Sequence, residues 1–221
     1  MDSIIQGIAI YALPVIFAIT LHEAAHGYVA KHYGDLTAYA QGRVSLNPMR
    51  HIDLIGTIIV PLALFVFSKM TMGAGFLFGW AKPVPVNFGN LRRPKRDMLW
   101  VAAAGPGANL LMALLWALVI KLGLAMPESD LARPMMLMGF AGIKINAILL
   151  ILNLLPLPPL DGGRIAVSLL PHRIAYRFSQ IEPYGFMILL FLLFTGVLGA
   201  VIGPFIMITI KMVAWFVGLP V

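Results

Sequence analysis

The stretch that decides the fold is AITLHEAAHGYVAKHYGD, residues 18–35, because it places two histidines and a glutamate inside an apolar run. Residues 4–17, IIQGIAIYALPVIF, lead into it without a charged side chain. An apolar run of about 20 residues is long enough to cross a bilayer as a helix. We therefore predict a first membrane-spanning helix over residues 4–31.

The composition of the whole chain also indicates a membrane protein. Hydrophobic residues make up 60% of the 221 positions and charged residues 11%, and the mean hydropathy is +0.91. Soluble domains usually contain about 25% charged residues. Cysteine is absent, which excludes disulfides and thiolate metal ligands. We expect the lipid bilayer, and no nucleic acid, as a partner, because the net charge of +7 is explained by basic loops that set orientation.

Further apolar segments follow along the chain: 54–68, 98–120, 135–158, 184–198 and 200–217. Polar or proline-rich connections separate the first four, and the last two form a pair with a predicted break near Gly199 and Gly203. The pattern predicts an all-α polytopic membrane protein with about five to six membrane segments, including a re-entrant or hairpin segment near 54–90. We expect a single membrane-embedded domain over 1–221, with a core at 4–165 and a C-terminal helical pair at 184–217.

Residues 22–26 read H-E-A-A-H. Positions i and i+4 of a helix share a face, so His22 and His26 can reach one metal ion. Glu23 can accept a proton from a metal-bound water, which is the chemistry of the H-E-x-x-H zinc proteases. Ionisable groups inside an apolar helix are costly and mark a functional site. The alternative is a buried polar cluster with a structural role.

A catalytic zinc ion needs a third protein ligand. Most candidates lie in polar or boundary segments: His32, His51, Asp97, Glu128, Asp130, His172 and Glu182. Asp161 differs, because it ends an apolar span in ILNLLPLPPLDGGRI, residues 151–165. The prolines interrupt a helix there, and Gly162 and Gly163 permit tight turning. Irregular backbone at membrane depth requires a protein-lined or water-filled setting, which would suit a metal ligand. The alternative is that Asp161 caps a helix.

Three motifs together resemble the site-2 protease family of intramembrane zinc metalloproteases. They are H-E-A-A-H in the first span, GPGANLL at 105–111 and NLLPLPPLDGG at 153–163. FGWAKPVPVN at 78–87 is similar to the hairpin segment of the bacterial and archaeal branch, and the chain resembles its compact type without a PDZ domain. The resemblance implies one Zn²⁺ per chain.

The resemblance also assigns roles to residues. It implies His22, His26 and Asp161 as zinc ligands and Glu23 as the general base. The substrate that it implies is a protein with a transmembrane helix, cleaved within or near that helix. The sequence does not specify an oligomeric state.

Five further residues are candidates for substrate contacts. Asn109 and Asn153 could donate hydrogen bonds to a tetrahedral oxyanion, or they could join helices. Asn47 could contact substrate or cap a turn. Pro83 and Pro85 occupy alternate positions of AKPVPVN, which could offer an extended edge to a substrate strand or form an ordinary loop.

The basic residues predict the orientation. If 54–81 returns to the side that it left, one side of the membrane holds most of the basic loop residues: Lys31, Arg43, Arg50, Lys82, Arg92, Arg93, Lys95, Arg96, Arg164, Arg173 and Arg177. The positive-inside bias then places the site toward the cytoplasm of a multi-pass protein in the plasma membrane.

Two other functions are open to this sequence besides an intramembrane zinc endopeptidase. A membrane metal-ion transporter could use histidines in a helix, although it would not need Glu23 as a base. A catalytically inactive relative could bind membrane helices without cleaving them.

Overall fold

The computed structural model describes residues 2–60, 63–64, 66–67, 70, 79 and 81–219. This part of the chain is helical and contains no β-strand, which confirms the all-α prediction. Its α-helices are α1 (Asp2–His32), α2 (Thr37–Ala40), α3 (Pro94–Leu124), α4 (Ala132–Asn153), α5 (Asp161–Leu169), α6 (His172–Ser179), α7 (Glu182–Phe194) and α8 (Val197–Val217). Short 3₁₀ turns lie at Pro48–Arg50 and Phe88–Asn90, and a π-helical turn lies at Leu54–Ile59.

Four helices in the described residues are long and apolar enough to cross a membrane. They are Ala9–His32 within α1, together with α3, α4 and α8. Helices α6 and α7 form a pair bent by 62°, which would make a fifth span if counted as one. The protein is therefore a multi-pass membrane protein.

The C-terminal helical pair divides at a different place from the one predicted. The break lies at Gly196, whose φ of 76° is in the left-handed region that favours glycine. Gly199 and Gly203, by contrast, lie inside α8. The span predicted at 135–158 ends at Asn153, because the prolines that follow cannot continue the helix.

Helix α3 packs between α1 and α4 and carries much of the core. Small residues on α4 permit this close approach, because a Cβ at Gly142 would lie 2.2 Å from the Trp116 ring and one at Gly139 would lie 2.4 Å from Ile120. Small residues play the same part at helix contacts in lipid generally. The outer surface instead carries large apolar side chains, such as Leu111, Phe140 and Phe205.

The loop after α1 and the segment before α3 meet at one end of the bundle. The amide of Lys82 donates to the carbonyl of His51 (2.9 Å), and that of Arg92 donates to the carbonyl of Tyr33 (3.0 Å). The chain therefore enters and leaves the 54–81 segment at the same end, as a hairpin requires. The predicted hairpin itself lies in part outside the described residues.

Asp35 connects two segments at this end of the bundle through hydrogen bonds. Its buried carboxylate accepts hydrogen bonds from the backbone amide and hydroxyl of Thr37, the amide of Asn87 and the side chain of Asn90. Burial alone would raise the pKa of Asp35, but these hydrogen bonds outweigh it and lower the pKa. The ionised carboxylate thus joins the end of α1 to the segment that leads into α3.

Candidate metal centre

Three potential ligand atoms converge in the interior of the bundle. His22 Nε2 and His26 Nε2 lie 3.1 Å apart, and Asp161 Oδ2 lies 3.2 Å and 3.3 Å from them. All three residues are buried, and together they could hold one metal ion. The ligand atoms of a tetrahedral zinc ion, with bonds of about 2.0–2.2 Å, lie about 3.3–3.5 Å apart. The observed triangle is close to that size.

The Nδ1 atoms of the two histidines determine which ring nitrogen carries the proton. His22 Nδ1 lies 2.6 Å from Asn109 Oδ1, and His26 Nδ1 lies 2.7 Å from the carbonyl oxygen of Val101. Carbonyl oxygens only accept hydrogen bonds, so each Nδ1 carries the proton and each Nε2 presents a lone pair. Metal-binding histidines in proteins are commonly oriented by such hydrogen bonds.

The carboxylate of Asp161 adds a third electron-rich atom. Its Oδ2 is buried and has no hydrogen-bond donor among the described residues. An ion pair with either histidine would require a second proton on the imidazole, whereas a cation satisfies all three atoms without one. This donor set, of two imidazoles and one carboxylate, is also one of those that catalytic zinc sites use.

Helix α3 closes the site with backbone rather than with a side chain. A Cβ at Gly105 would lie 2.4 Å from His26 Nε2 and 2.6 Å from His22 Nε2. Any other residue at this position would therefore project into the histidine pair. Gly105 belongs to the GPG sequence, and its neighbour Gly107 has open space around it.

Asp161 reaches the histidines from the first turn of α5. The cap of this helix is Leu160, and Asp161 makes no capping hydrogen bond. A Cβ at Gly162 would lie 2.3 Å from the Leu154 carbonyl oxygen, and one at Gly163 would lie 2.4 Å from Pro158 N. The sequence suggested that these glycines permit a tight turn. In the structure they instead lie in helix α5 and permit its close packing against the backbone of Leu154 and Pro158.

Glu23 lies beside His22 on α1 and contacts the segment that precedes α3. Its Oε2 accepts a hydrogen bond from the amide of Val84 (2.8 Å). Val84 is buried against α1, where a Cβ at Gly27 would lie 3.2 Å from it. The Arg43 guanidinium supports the same segment by donating to the carbonyl of Lys82 (2.8 Å).

The remaining candidates occupy distinct places. Asn109 contacts His22 through its oxygen. Asn153 is half-buried, and its Nδ2 donates to the Leu149 carbonyl on its own helix (3.0 Å). Asn47 caps the turn at Pro48–Arg50. Pro83 is exposed and Pro85 half-buried on either side of Val84.

Sequence reasoning missed four contributors to the site, namely Asn146, Val84, Val101 and Gly105. Asn146 is fully buried in α4 and donates to, and accepts from, groups in the interior. A polar residue inside an apolar span is a signal that could have identified it. Val84 and Val101 act through their backbones and Gly105 through the lack of a side chain, and neither kind of role is visible in a residue pattern.

The helical membrane fold and this donor set define a class, the multi-pass membrane proteins with an internal metal-binding site. A family model described as "Peptidase family M50" matches residues 123–196. The chain is 38% identical to "Putative zinc metalloprotease YwhC" of Bacillus subtilis over 195 residues, which are 87% of this chain and 83% of that protein.

Further relatives carry a similar description. "Putative zinc metalloprotease Rip2" of Mycolicibacterium smegmatis is 29% identical over 83% of this chain and 66% of its own length. Its namesake in Mycobacterium tuberculosis is 30% identical over 66% of this chain and 52% of its own length. No solved structure matches the chain significantly. The chain belongs to peptidase family M50, the site-2 protease family, and is a zinc metalloprotease.

Proposed function

We propose that this protein is an intramembrane zinc endopeptidase that cleaves peptide bonds in or near the transmembrane helices of other membrane proteins. The observation that carries the proposal is the place of the donor set. His22 and His26 lie within α1, which is long and apolar enough to span a membrane, and Asp161 meets them there. A site at this position can act on a bond that lies within the bilayer. We propose that residues 1–221 form one domain for this purpose.

In this proposal His22, His26 and Asp161 hold one Zn²⁺ per chain. When bound, zinc polarises the substrate carbonyl and makes water available as a nucleophile near neutral pH. Glu23 then accepts a proton from the attacking water at Oε1 and delivers it to the leaving amide nitrogen. Its Oε2 is held by the Val84 amide, which orients the carboxylate. The apolar helices keep lipid and bulk water away from these groups.

The segment around Val84 is the proposed surface for the substrate. Pro83 and Pro85 have no N–H, so the side of the extended chain that they face offers only carbonyl acceptors. A locally unwound substrate could donate its own amides to them, as in strand addition. The Arg43 guanidinium donates to the carbonyls of Lys82 (2.8 Å) and Pro83 (3.3 Å), so the Pro83 carbonyl would accept a substrate amide in addition to Arg43. Asn153 is the proposed source of a hydrogen bond to the oxyanion, because its location ends α4 just before the loop to Asp161.

The proposed orientation places the site toward the cytoplasm of the plasma membrane. The ends of α1 and α3 that meet at Tyr33 and Arg92 carry a cluster of basic residues: Lys31, Arg92, Arg93, Lys95 and Arg96. The connection between α3 and α4 lies at the opposite end and contains Glu128 and Asp130. The positive-inside bias favours the basic end on the cytoplasmic side.

Cysteine accessibility tests this orientation, because the chain has no native cysteine. Single cysteines introduced by Gln41→Cys and Arg92→Cys should react with a membrane-impermeant maleimide only after the cytoplasmic side is exposed. Both positions are exposed in the fold. Glu128→Cys is the matched control and should react from outside intact cells. Labelling of Gln41→Cys and Arg92→Cys from opposite sides would contradict both the orientation and the returning segment.

Removal of a ligand tests the metal site itself. Purified protein should contain one zinc ion per chain, and His22→Ala, His26→Ala and Asp161→Ala should each lose most of it, because two remaining ligands hold zinc weakly. Metal analysis of the purified variants gives the answer. Full zinc content in Asp161→Ala would exclude Asp161 as the third ligand. Glu182→Ala, which removes an exposed carboxylate on α7, is the control and should retain its zinc.

A further inference from the structure

A chain of buried amides extends from His22 into the core. His22 Nδ1 is bonded to Asn109 Oδ1 (2.6 Å), and Asn109 Nδ2 donates to Asn146 Oδ1 (3.0 Å) and to the Ala18 carbonyl (3.2 Å). Asn146 Nδ2 donates in turn to the Gly142 carbonyl (2.9 Å). Asn109 and Asn146 are both 0% exposed, so water cannot substitute for these partners.

The backbone carbonyls of Ala18 and Gly142 determine the direction of donation along this series of hydrogen bonds. Each carbonyl oxygen can only accept, so the side-chain nitrogen of Asn146 must face Gly142 and that of Asn109 must face Ala18. The oxygen of Asn146 then faces Asn109, and the oxygen of Asn109 faces His22. Because that oxygen can only accept, Nδ1 of His22 must carry the proton.

We propose that Asn146, acting through Asn109, is a positioning residue that fixes the tautomer of His22 and keeps its Nε2 lone pair directed at the metal. The proposal rests on the proposed function, in which His22 is a zinc ligand. Asn146 touches neither the metal site nor the proposed substrate surface. Its effect comes from preventing a rotation of the Asn109 amide by half a turn.

The effect of such a rotation follows from the contacts. A rotated Asn109 would turn its oxygen toward the Ala18 carbonyl and Asn146 Oδ1, so three acceptors would face one another without a proton. Without Asn146 one of these two repulsive contacts disappears. The rotated amide would present N–H groups to His22 Nδ1, and the imidazole would carry its proton on Nε2. That tautomer cannot bind zinc, because the ligating nitrogen has lost its lone pair.

The test compares substitutions at position 146 in the full-length protein. Asn146→Leu removes the acceptor, and Asn146→Ser leaves a hydroxyl that bonds the carbonyl four residues earlier but is too short to reach Asn109. Both should weaken zinc binding by about 10- to 100-fold, the usual effect of losing a group that orients a ligand. Asn146→Asp should restore binding, because a protonated carboxyl donates to Gly142 and accepts from Asn109. Competition with a chromogenic chelator measures the zinc affinity.

A spectroscopic measurement separates a tautomer effect from a packing effect. In metal-free protein labelled with ¹⁵N-histidine, at a pH above which the His22 nitrogen shifts no longer change, His22 of the wild type should show the Nδ1–H pattern. Asn146→Ser should show a population with Nε2–H at the resonance that His22→Ala removes. Ile143→Val changes a buried side chain on the same helix without touching the amide chain, so it should alter neither readout.

A double-mutant cycle with Asn109→Leu tests whether Asn146 acts through Asn109. In that background Asn146→Ser should cause no further loss of zinc affinity, since the amide that it restrains is gone. Additive losses, or wild-type affinity and an unchanged His22 pattern in Asn146→Ser, would overturn the proposal. The failure of the proposed function looks different: His22→Ala and Asp161→Ala would then retain zinc.

Discussion

Replacement of Glu23 by glutamine should strongly slow cleavage of a membrane-helix substrate while leaving the zinc content unchanged. Glutamine keeps the size of the side chain, and its oxygen can still accept the Val84 amide that now bonds Glu23 Oε2. It cannot take a proton from the attacking water. General acid–base catalysis contributes about 10²–10⁴-fold, so turnover should fall by that factor. The measurement reconstitutes either the wild type or the variant in liposomes together with a substrate that contains a transmembrane helix. Mass spectrometry then follows the formation of substrate fragments.

The same experiment distinguishes an endopeptidase from the two alternative functions, a metal-ion transporter and a catalytically inactive relative. A metal-ion transporter would keep its ion flux in Glu23→Gln, and a catalytically inactive relative would yield no fragments even as the wild type. Glu128→Gln is the matched control, since it removes an exposed carboxylate from the connection between α3 and α4. It should cleave at the wild-type rate. If Glu23→Gln also cleaves at that rate, Glu23 is not the base and the proposed mechanism is wrong.

Gly105→Ala should remove zinc and activity together, although it adds only a methyl group. That methyl carbon would lie 2.4 Å from His26 Nε2 and 2.6 Å from His22 Nε2. Neither imidazole can move away without breaking the hydrogen bonds of its Nδ1 to Asn109 and Val101. Metal analysis of purified protein should show a loss of most of the zinc, and cleavage should fall below detection.

Gly107→Ala is the control for this substitution. It lies two positions along the same helix, and an added Cβ would meet nothing within 4 Å. It should retain zinc, activity and the wild-type melting temperature, with a small gain in helix propensity. If Gly105→Ala retained full zinc content, the close approach of α3 to the histidines would not hold in the protein.

The sequence predicted the parts of the fold that depend on composition and periodicity. Apolar length identified the spans, and spacing on one helix face brought His22 and His26 together. Asp161 was selected because it ends an apolar run whose prolines and glycines predict irregular backbone at membrane depth. In each case a local pattern in the sequence was sufficient to select the segment or the residue. No contact between distant segments had to be known.

What could not be predicted depends on contacts between distant segments. The oxygen of Asn109 faces His22 and its nitrogen faces the core, whereas the pattern GPGANLL allowed either a substrate contact or a helix contact. The Val84 amide that holds Glu23 is a backbone group and leaves no trace in residue identity. The break at Gly196, rather than at Gly199 or Gly203, was equally hidden, since all three are glycines in apolar surroundings.

In the proposed function, the donor set also determines when the protein can first bind its metal ion during synthesis. Its histidines are translated near the start of the chain, whereas Asp161 follows only after α3 and α4. A nascent chain that has inserted α1 to α4 holds two facing lone pairs and an incomplete coordination sphere. In the proposed function, the metal site is therefore completed only when α5 has left the ribosome and packed against α3, while α8 still follows in the chain. The order of the helices thus keeps the site incomplete while α1 to α4 are being inserted.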